Sequence, residues 1–429
     1  MNRKMKDSGI EWLGKIPDNW DIVKIKYLQD PNQKDSFVDG DWIESPYITN
    51  KGIRYLTSGN IGDGVFKRQG DGYISYETFE KLGCKYAYPN DLIISRLNSP
   101  FGRACILPND EEKYVLAVDN VILRTKHNIR FLCYVMQCDG YHMTIEENSA
   151  GTAMRRISRS NLGDIKLPIA PLEEQNMIAD FLDSKCEAID QTIQKQKEII
   201  DKLTEYRQAT ITQVVTHGVN SDNAIRRLLK NDYIWFDEIP QNWKTYKLKY
   251  ITKLSKEKAI SKENYIGLEN VESKTGKFIG SQVEPDGDAI IFHQNDVLFG
   301  KLRPYLSKSL LVEQEGCCSG EFLVITPKQI IPKYLLYITL SKTFVEHVNS
   351  STYGAKMPRS NWEFVRNMMI PLPTESEQKE IISYLDKKLA SIDNVIESTN
   401  TIIQKLEEYK KSLIYNAVTG KIDCRGEVK

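Results

Sequence analysis

Two short segments that are rich in arginine, lysine, serine and asparagine begin 203 positions apart, at Gly151 and at Gly354. Charged and neutral hydrogen-bond donors at this density suit the phosphate backbone of a nucleic acid. The structural alternative is a solvated basic turn in front of a helix. The recurrence favours phosphate binding, and the candidate residues are Arg155, Arg156, Arg159, Lys356 and Arg359.

A second basic feature places a cation beside an aromatic ring that a proline holds. It reads Pro100-Phe101-Gly102-Arg103 in the first half of the chain and Arg303-Pro304-Tyr305 in the second. The cation can take a phosphate or a guanine edge while the ring packs on a sugar or a base. The alternative is a solvated loop whose ring caps the core. The candidates are Arg96, Arg103, Lys301, Arg303 and Tyr305, with the polar turn residues Thr57, Ser58 and Asn60.

Catalytic motifs are missing. The sequence has no Gly-x-x-x-x-Gly-Lys-Ser/Thr segment for ATP and no Asn/Asp-Pro-Pro-Tyr/Phe segment of the kind adenine methyltransferases use. None of the eight cysteines forms a Cys-x-x-Cys pair, which favours buried or free thiols over a metal site. An acidic cluster of Glu284, Asp286 and Asp288 fits a polar turn better than a metal site. We predict no catalytic residues, no metal and no cofactor bound by this chain.

The chain is a tandem repeat with matching ends and a variable middle. Glu174-Gln175 recurs as Glu377-Gln378, 203 positions later. At the front, Ile16-Pro17-Asp18-Asn19-Trp20 recurs as Ile239-Pro240-Gln241-Asn242-Trp243, 223 positions later. The difference between 223 and 203 shows that the first copy carries 20 extra residues in its middle. Fixed ends around a variable middle indicate a scaffold that presents two different recognition surfaces.

Each copy closes with a long amphipathic helix. Apolar residues alternate in steps of four and three over five heptads, as in a coiled coil. Gly218 and Gly420 follow the last turns as expected for C-terminal caps. Polar residues interrupt the pattern at equivalent places, of which Arg207 and Lys410 form one pair. The predicted seam is Leu182, Ile189, Ile193, Ile200 and Leu203 in the first helix and Leu385, Leu389, Ile392, Ile396, Ile403 and Leu406 in the second.

The order of the elements constrains how these helices pair. The first leads from one globular part to the other, so a second helix that packs along it must run antiparallel. The alternative is that each helix packs only on its own domain. With two-fold pseudosymmetry, the second helix should end beside Trp12 and the segment from Ile16 to Trp20. That arrangement would bring the two ends of the chain together.

The variable middles read as short strands broken by turns, with a few helices. This pattern predicts an α+β fold: two α/β globular domains in tandem pseudo-repeat, joined by two long helices that form an antiparallel coiled coil. The expected boundaries are 1–172 for the first globular domain, 173–218 for the first helix, 219–373 for the second domain, and 374–429 for the second helix and the C-terminal tail.

Charge and hydropathy agree with a cytoplasmic nucleic-acid binder. The 58 basic residues balance the 58 acidic ones. The two helices carry net charges of −4 and −2, so the globular parts carry the balancing +6. No apolar run approaches the roughly 18 residues that span a bilayer. The basic N-terminus lacks the apolar stretch of a secretory signal.

The Ile-Pro-x-Asn-Trp opening, the glycine-led basic loop and the Pro171-Leu172-Glu173-Glu174-Gln175 helix entry together resemble the DNA-specificity subunit of type I restriction–modification systems. The resemblance implies two target-recognition domains that each read one half of a split site on double-stranded DNA. It implies a helical spacer that docks two methyltransferase subunits, joined by restriction (motor) subunits. S-adenosylmethionine would then belong to the methyltransferase subunit, and ATP and magnesium to the motor subunit.

The resemblance leaves three other interpretations open. The chain could itself catalyse methylation or cleavage, against which the missing motifs argue. It could be a two-domain coiled-coil adaptor that binds proteins rather than DNA, which salt-dependent affinity for duplex DNA would exclude. It could also serve a methylation-only system. Because the two middles differ in length and content, we expect an asymmetric bipartite target with half-sites about 34 Å apart.

Overall fold

The computed structural model describes residues 3–70, 72–97, 99–151, 155–220, 224–229, 231–260, 263–280, 287–354 and 356–424. The chain divides into two compact units, of which the first comprises Met1–Gln194 with Ile402–Lys429 and the second comprises Lys195–Thr401. Each unit contains part of both long helices. The four segments expected from the sequence stay predictions, because the two units divide the long helices instead of separating them from the globular domains.

Two small sheets form the globular domain of the first unit. The antiparallel four-stranded sheet has the strand order Phe37–Asp39, Asn120–Leu123, Leu92–Ser95 and Ala104–Ile106. The other sheet has Ile53–Leu56 in its centre, antiparallel to Tyr73–Ile74 and parallel to Tyr114–Leu116. Antiparallel pairs join Met5–Asp7 to Lys15–Pro17, and Asp21–Lys24 to Lys166–Ile169. The last pair ties the N-terminal segment to the chain just before the first long helix.

Of the four short helices described in this domain, all but Asp139–Glu147 begin at a side-chain cap. The hydroxyls of Ser75 and Ser158 and the carboxamide oxygen of Asn128 each accept a hydrogen bond from a backbone N–H of the first turn. The helices are Tyr76–Leu82, Ile129–Val135, Asp139–Glu147 and Arg159–Asp164, and 3₁₀ turns lie at Ile25–Tyr27, Ser45–Tyr47 and Ser58–Asn60.

The second unit repeats this plan. Its antiparallel four-stranded sheet has the order Thr252–Ser255, Phe322–Pro327, Val297–Gly300 and Ser309–Leu311. A three-stranded sheet has Gly316–Ser319 between Tyr265–Ile266 and Ala289–Phe292. Antiparallel pairs join Ile225–Arg227 to Glu238–Pro240, and Lys244–Lys247 to Met369–Leu372. The short helices are Leu248–Ile251, Pro332–Leu340, Lys342–Ser350 and Trp362–Val365, with 3₁₀ turns at Leu268–Asn270 and Pro304–Leu306.

The tandem repeat read from the sequence is therefore a repeat of structure. Strands Leu92–Ser95 and Val297–Gly300 occupy the same place in the four-stranded sheet of each unit. All four residues of each strand are buried, which agrees with the apolar runs Leu92-Ile93-Ile94 and Val297-Leu298-Phe299. The prediction of an α+β fold with two tandem globular domains is confirmed.

The two long helices, Leu172–His217 and Glu375–Val418, pair antiparallel. Within the first unit, Lys410 Nζ lies 2.6 Å from a carboxylate oxygen of Asp190. Within the second unit, Arg207 Nε lies 3.2 Å from Asp393 Oδ1. Packing of each helix on its own domain alone is thereby excluded. The polar residues that interrupt the heptad pattern at 207 and 410 are the basic partners of these two ion pairs.

Burial along the predicted seam is graded. The side chains that are buried are Leu182, Ile189, Ile193, Leu385, Leu389, Ile392 and Ile403. Those that are half-buried are Ile200, Leu203, Ile396 and Leu406. In the second unit the helices share one apolar core with the globular domain, since Ile211 and Val215 pack in the same cluster as Ile381 and Leu385.

The second long helix ends beside the N-terminal segment of the chain, as the pseudosymmetry predicted. The Tyr415 hydroxyl donates a 2.9 Å hydrogen bond to the Trp12 carbonyl. Gly420 follows the helix with a φ of 70°, and a Cβ atom built there would lie 2.4 Å from Pro17 Cγ. Both the left-handed backbone and the close approach therefore require glycine at this cap.

No helix in the described part of the chain is both long enough and apolar enough to cross a bilayer. Among the described residues, no group of three or more histidine, cysteine, aspartate or glutamate side chains could hold a metal ion. Glu284 and Asp286 of the acidic cluster lie outside the described residues, and Asp288 pairs with Lys258 at 3.0 Å. The eight cysteines are buried, as predicted.

Candidate nucleic-acid interface

The repeated Glu-Gln pair fixes each globular domain to the start of its long helix. The Gln175 carboxamide accepts from the Asn128 backbone N–H at 2.9 Å and donates to the Ala170 carbonyl at 2.7 Å. In the second unit, Gln378 accepts from the Ile331 backbone N–H at 2.9 Å and donates to the Pro373 carbonyl at 3.1 Å. Each glutamine thus joins the cap of a short helix to the entry of a long one.

The glutamate before each of these glutamines accepts a hydrogen bond from the tryptophan of the opening motif, which explains why that tryptophan recurs. The indole N–H of Trp20 donates to Glu174 at 3.0 Å, and that of Trp243 donates to Glu377 at 3.2 Å. Burial is the largest single effect on the Glu377 carboxyl and raises its pKa. Hydrogen bonds from Thr374, Trp243 and Asn242 together outweigh it, so the pKa lies below its usual value. Among the motif residues that carried the family resemblance, these glutamates and tryptophans therefore belong to the framework that joins each domain to its long helix.

In both units the basic loop lies against the end of the central buried strand. Arg156 bridges the backbones of Leu97 and Ala150, and Arg359 bridges those of Leu302 and Tyr353. The glycine-led loop therefore lies next to the candidates Arg96 and Lys301 of the second basic feature. Their juxtaposition could not be read from spacing, since about 60 residues separate Leu97 from Arg156 and Leu302 from Arg359.

Three arginines of the first basic loop reach solvent. The Arg155 guanidinium donates to the Glu146 carbonyl at 2.9 Å and to its carboxylate at 3.2 Å. Arg156, whose side chain is 60% exposed, lies 3.6 Å from Asp119. Arg159 lies 3.5 Å from Asp39. The three arginine side chains are exposed, so they can exchange these partners for phosphate at little cost, because ion pairs at the surface contribute only about 0–1 kcal/mol.

Arg96 occupies a different environment from the one the sequence suggested. Its side chain is only 9% exposed, with Asp39 at 3.1 Å. Its guanidinium donates to the Ile157 carbonyl at 3.1 Å and to the Val118 carbonyl at 2.8 Å. These bonds join the strand end to the basic loop. Contact with a base would require breaking them, so the geometry assigns Arg96 to positioning the loop. Arg103 is half-buried, with Nη2 at 3.4 Å from the Ser58 carbonyl.

The polar turn after the central strand of the three-stranded sheet is held by its own side chains. Asn60 is buried, accepts from the Thr57 backbone N–H at 2.9 Å and donates to the Gln69 carbonyl at 2.7 Å. Ser58 is also buried and donates to the Asn120 carboxamide at 3.2 Å. Of the three candidates in this turn, Thr57 is exposed. In the second unit Asn270 holds the equivalent turn, accepting from the Gly267 N–H at 2.8 Å.

In the second unit the candidate cations divide between a surface loop and a cleft. Arg303, Tyr305 and Lys356 are exposed, and Arg303 has a left-handed backbone with a φ of 49°. Lys301 and Arg359 line a cleft of about 970 Å³. The Arg359 guanidinium donates through Nε at 3.2 Å and through Nη2 at 3.1 Å to the Glu321 carboxylate. The hydrogen bonds that Arg359 donates to the Glu321 carboxylate raise the pKa of Arg359 above its usual value, so the guanidinium stays charged.

The cleft contains polar residues that the sequence had not singled out. They are Lys256, Lys258, Glu321, Tyr353, Ser360 and Asn361. The lysines follow an edge strand of the four-stranded sheet and belong to a visible basic run, so charge alone could have flagged them. Glu321 had no such signal, because it lies alone in a turn and belongs to no run of charged residues.

Comparisons with known proteins agree with the repeat and with the fold. The chain is 24% identical to the EcoDI type I restriction enzyme specificity subunit of Escherichia coli. The aligned region of 328 residues covers 72% of each chain. It is 23% identical to the MjaVIII specificity subunit of Methanocaldococcus jannaschii over 95% of this chain and 94% of the relative.

Solved structures have the same fold. A chain from a study of complex assembly and conformational transition of the type I R-M system has a TM-score of 0.68 at 12% identity, over 95% of this chain and 99% of the other. The HsdS subunit from Thermoanaerobacter tengcongensis has a TM-score of 0.51 at 13% identity, over 95% and 98%. A family model described as the type I restriction modification DNA specificity domain matches residues 17–205 and 240–408. Since those two matches cover most of both repeats, this chain belongs to the family of type I restriction–modification DNA specificity subunits.

Proposed function

We propose that this subunit reads an asymmetric, two-part site on double-stranded DNA, with one globular domain for each half-site. One observation carries the proposal. Both units place a glycine-led basic loop against the end of the same buried strand, yet the residues beside that strand differ. The first unit has Pro100-Phe101-Gly102-Arg103 there, and the second has Arg303-Pro304-Tyr305. A basic loop that contacts the DNA backbone in the same way in both units, with different side chains beside it, suits two different half-sites.

The candidate residues then divide by exposure. Arg155, Arg156, Arg159 and Lys356 are exposed on the basic loops and would contact phosphates, which fixes the register of the protein on the duplex. Thr57, Arg303 and Tyr305 are exposed beside the strand ends and would contact base edges. Ser58, Asn60 and Arg96 are buried and would position those contacts. Arg103 and Lys301 are half-buried and would act at the edges of the two reading surfaces.

Chemistry would come from partner subunits. The paired helices would serve as the spacer between the half-sites and as the docking surface for two methyltransferase subunits, which would bind S-adenosylmethionine. Restriction subunits would add ATP- and magnesium-dependent cleavage. This chain would bind none of these cofactors, which agrees with a sequence that has no ATP-binding segment and no methyltransferase motif.

The test is DNA affinity of the complex that this chain forms with its methyltransferase subunits, measured against duplex DNA at several salt concentrations. Counterion release predicts that log affinity falls linearly with log salt, with a slope near −0.9 for each phosphate contact. A steep slope together with preference for one duplex over its scrambled version supports the proposal. Salt-independent or absent binding would instead support the protein adaptor.

A second arm tests whether methyl transfer depends on this chain. The same complex is incubated with S-adenosylmethionine, and methyl transfer to the preferred duplex is followed with this chain present and absent. Methyl transfer that requires this chain supports the specificity role. S-adenosylmethionine turnover by the purified chain alone would contradict its assignment as a non-catalytic subunit.

A further inference from the structure

The same acidic position faces the basic-loop arginine in both units. The backbone carbonyl of Asp119 accepts from the Arg96 N–H at 2.8 Å, and that of Glu321 accepts from the Lys301 N–H at 2.9 Å. Asp119 and Glu321 are therefore equivalent residues, each at the turn before a central strand. Their carboxylates lie next to Arg156 and Arg359, which are also equivalent. Two independent occurrences in otherwise different loops argue against an accidental ion pair.

The second unit shows what this contact does to the arginine. Glu321 takes the Nε edge of the Arg359 guanidinium together with one Nη2 hydrogen. Within the described residues, no other acceptor is recorded for the remaining Nη1 and Nη2 donors. Those remaining donors are the ones that bond side by side to the O6 and N7 atoms of guanine or to two phosphate oxygens. Glu321 thus holds the fork in a fixed orientation on the wall of an open cleft.

The carboxylate also has a cost for DNA. A negative charge beside a binding arginine repels phosphate, and about 4 Å of separation in a solvated site corresponds to several-fold in affinity. This repulsion lowers the affinity for every duplex. Only a duplex that forms hydrogen bonds with the oriented guanidinium offsets the loss. A carboxylate in this place therefore lowers binding to unrelated sequences more than binding to the target.

We propose that Glu321 is a specificity-setting carboxylate, which orients the basic-loop arginine Arg359 and penalises DNA that does not bond to it. The proposal rests on the proposed function, since it needs DNA at the basic loop of the second unit. The contact between carboxylate and arginine is closer in the second unit than in the first. Glu321 reaches hydrogen-bonding distance of Arg359, whereas the shorter Asp119 lies 3.6 Å from Arg156.

The experiment uses the complex of this chain with its methyltransferase subunits and compares Glu321→Gln with the parent. The glutamine keeps the size of the side chain and removes its charge. We expect affinity for unrelated duplex to rise about three- to tenfold, while affinity for the target duplex changes less. The ratio of the two affinities therefore falls, and methylation relaxes at the half-site read by the second unit. Asp119→Asn, beside Arg156, which would contact phosphate, should raise affinity for both duplexes by a similar and smaller factor.

The Arg359→Lys variant separates the effect of guanidinium orientation from the effect of the positive charge at this position. Lysine keeps the charge but cannot form the bidentate contact, so discrimination falls in the parent. In the Glu321→Gln background the same change has little further effect on discrimination. Glu238→Gln is the matched control, because Glu238 pairs with Arg227 at 2.7 Å outside the cleft. That variant should keep the parent's discrimination.

The outcomes are distinguishable. If the parent complex shows no salt-dependent DNA binding, the proposed function fails. If the parent discriminates and Glu321→Gln discriminates equally, or loses affinity for both duplexes by the same factor, only the carboxylate proposal is overturned. A melting temperature equal to that of the parent excludes loss of folding as the reason for a reduced ratio.

Discussion

Lys410 and Asp190 form an ion pair of 2.6 Å between the two long helices, although 220 residues separate them in the chain. The repeat supplies the same pair in the second unit as Arg207 with Asp393. The two pairs differ in burial. The Lys410 and Asp190 side chains are 27% and 56% exposed, whereas those of Arg207 and Asp393 are 6% and 20% exposed. Equivalent positions in one chain therefore provide a matched comparison of an exposed and a buried ion pair.

Arg207→Ala should lower the free energy of unfolding by about 2–3 kcal/mol, because it leaves a mostly buried carboxylate short of a partner. It also removes the donors to the Lys274 and Thr275 carbonyls. Lys277, at 2.7 Å from Asp393, moderates the loss. Lys410→Ala should cost less than about 1 kcal/mol. Urea titration of both variants measures the difference, and equal losses would contradict the account.

Arg96→Ala should destabilise the fold instead of changing the target sequence. The buried guanidinium joins the Ile157 and Val118 carbonyls, and leaving buried acceptors unpaired costs about 1–3 kcal/mol. Arg303→Ala, at an exposed position, should leave the melting temperature unchanged and alter base preference in one half-site by about 1–3 kcal/mol. Thermal melts combined with selection from random duplexes test both. A stable Arg96→Ala variant with altered preference would reverse these roles.

Replacing Arg155 and Arg156 together with alanine should weaken binding to every duplex by a similar factor. Both residues would contact phosphates, so the slope of log affinity against log salt should become shallower by up to about 2. Lys379→Ala, which removes an exposed cation from the second long helix, is the control and should keep the parent slope. A change confined to the target duplex would show that these arginines read bases.

His142 should make the first unit more stable at slightly acidic pH. Its ring nitrogens contact the Phe101 carbonyl at 2.8 Å and Asp63 at 3.2 Å. Burial, the largest single effect, lowers the pKa of His142. The hydrogen bond to Asp63, the charge of Asp63 and the Phe101 carbonyl together outweigh it, so the pKa lies above its usual 6.5. Because the folded-state pKa is raised, this stabilisation is complete below pH 6.5 and is lost as pH rises through the folded-state pKa.

The measurement is the difference in unfolding free energy between the parent chain and Asp63→Asn at several pH values. We expect about 0.5–1 kcal/mol at pH 6 and a smaller difference at pH 9, since Asp63 is partly exposed. A difference that stays constant over this range would show that His142 does not become charged in this contact.

The sequence predicted the framework better than the contact surface, and the reason is physical. Glu174, Gln175 and Trp20 recur because each copy must fasten its domain to a helix by the same buried hydrogen bonds. The heptad spacing identified the long helices, and the polar residues Arg207 and Lys410 within it are the basic partners of the interhelical ion pairs. Such features repeat because the geometry they serve repeats.

The reading surface was less predictable because exposure depends on packing that no local pattern encodes. From the sequence, Arg96 and Arg303 fell in the same group of candidate DNA-binding cations. Arg96 is buried under the basic loop, whereas Arg303 lies on an exposed left-handed turn. Asp119 and Glu321 could not be identified from the sequence for another reason. Each is paired with an arginine from a segment more than 35 positions away, and one acidic residue in a turn gives no signal by itself.

The most direct test of the central claim is a map of methylated bases in a host without its own DNA methylation, after co-expression of this chain with its methyltransferase subunits. We predict methylation at one asymmetric, two-part motif that is absent when this chain is omitted. Substitutions at Arg303 and Tyr305 should change one part of the motif only. A continuous motif, a motif that persists without this chain, or no methylation at all would contradict the account.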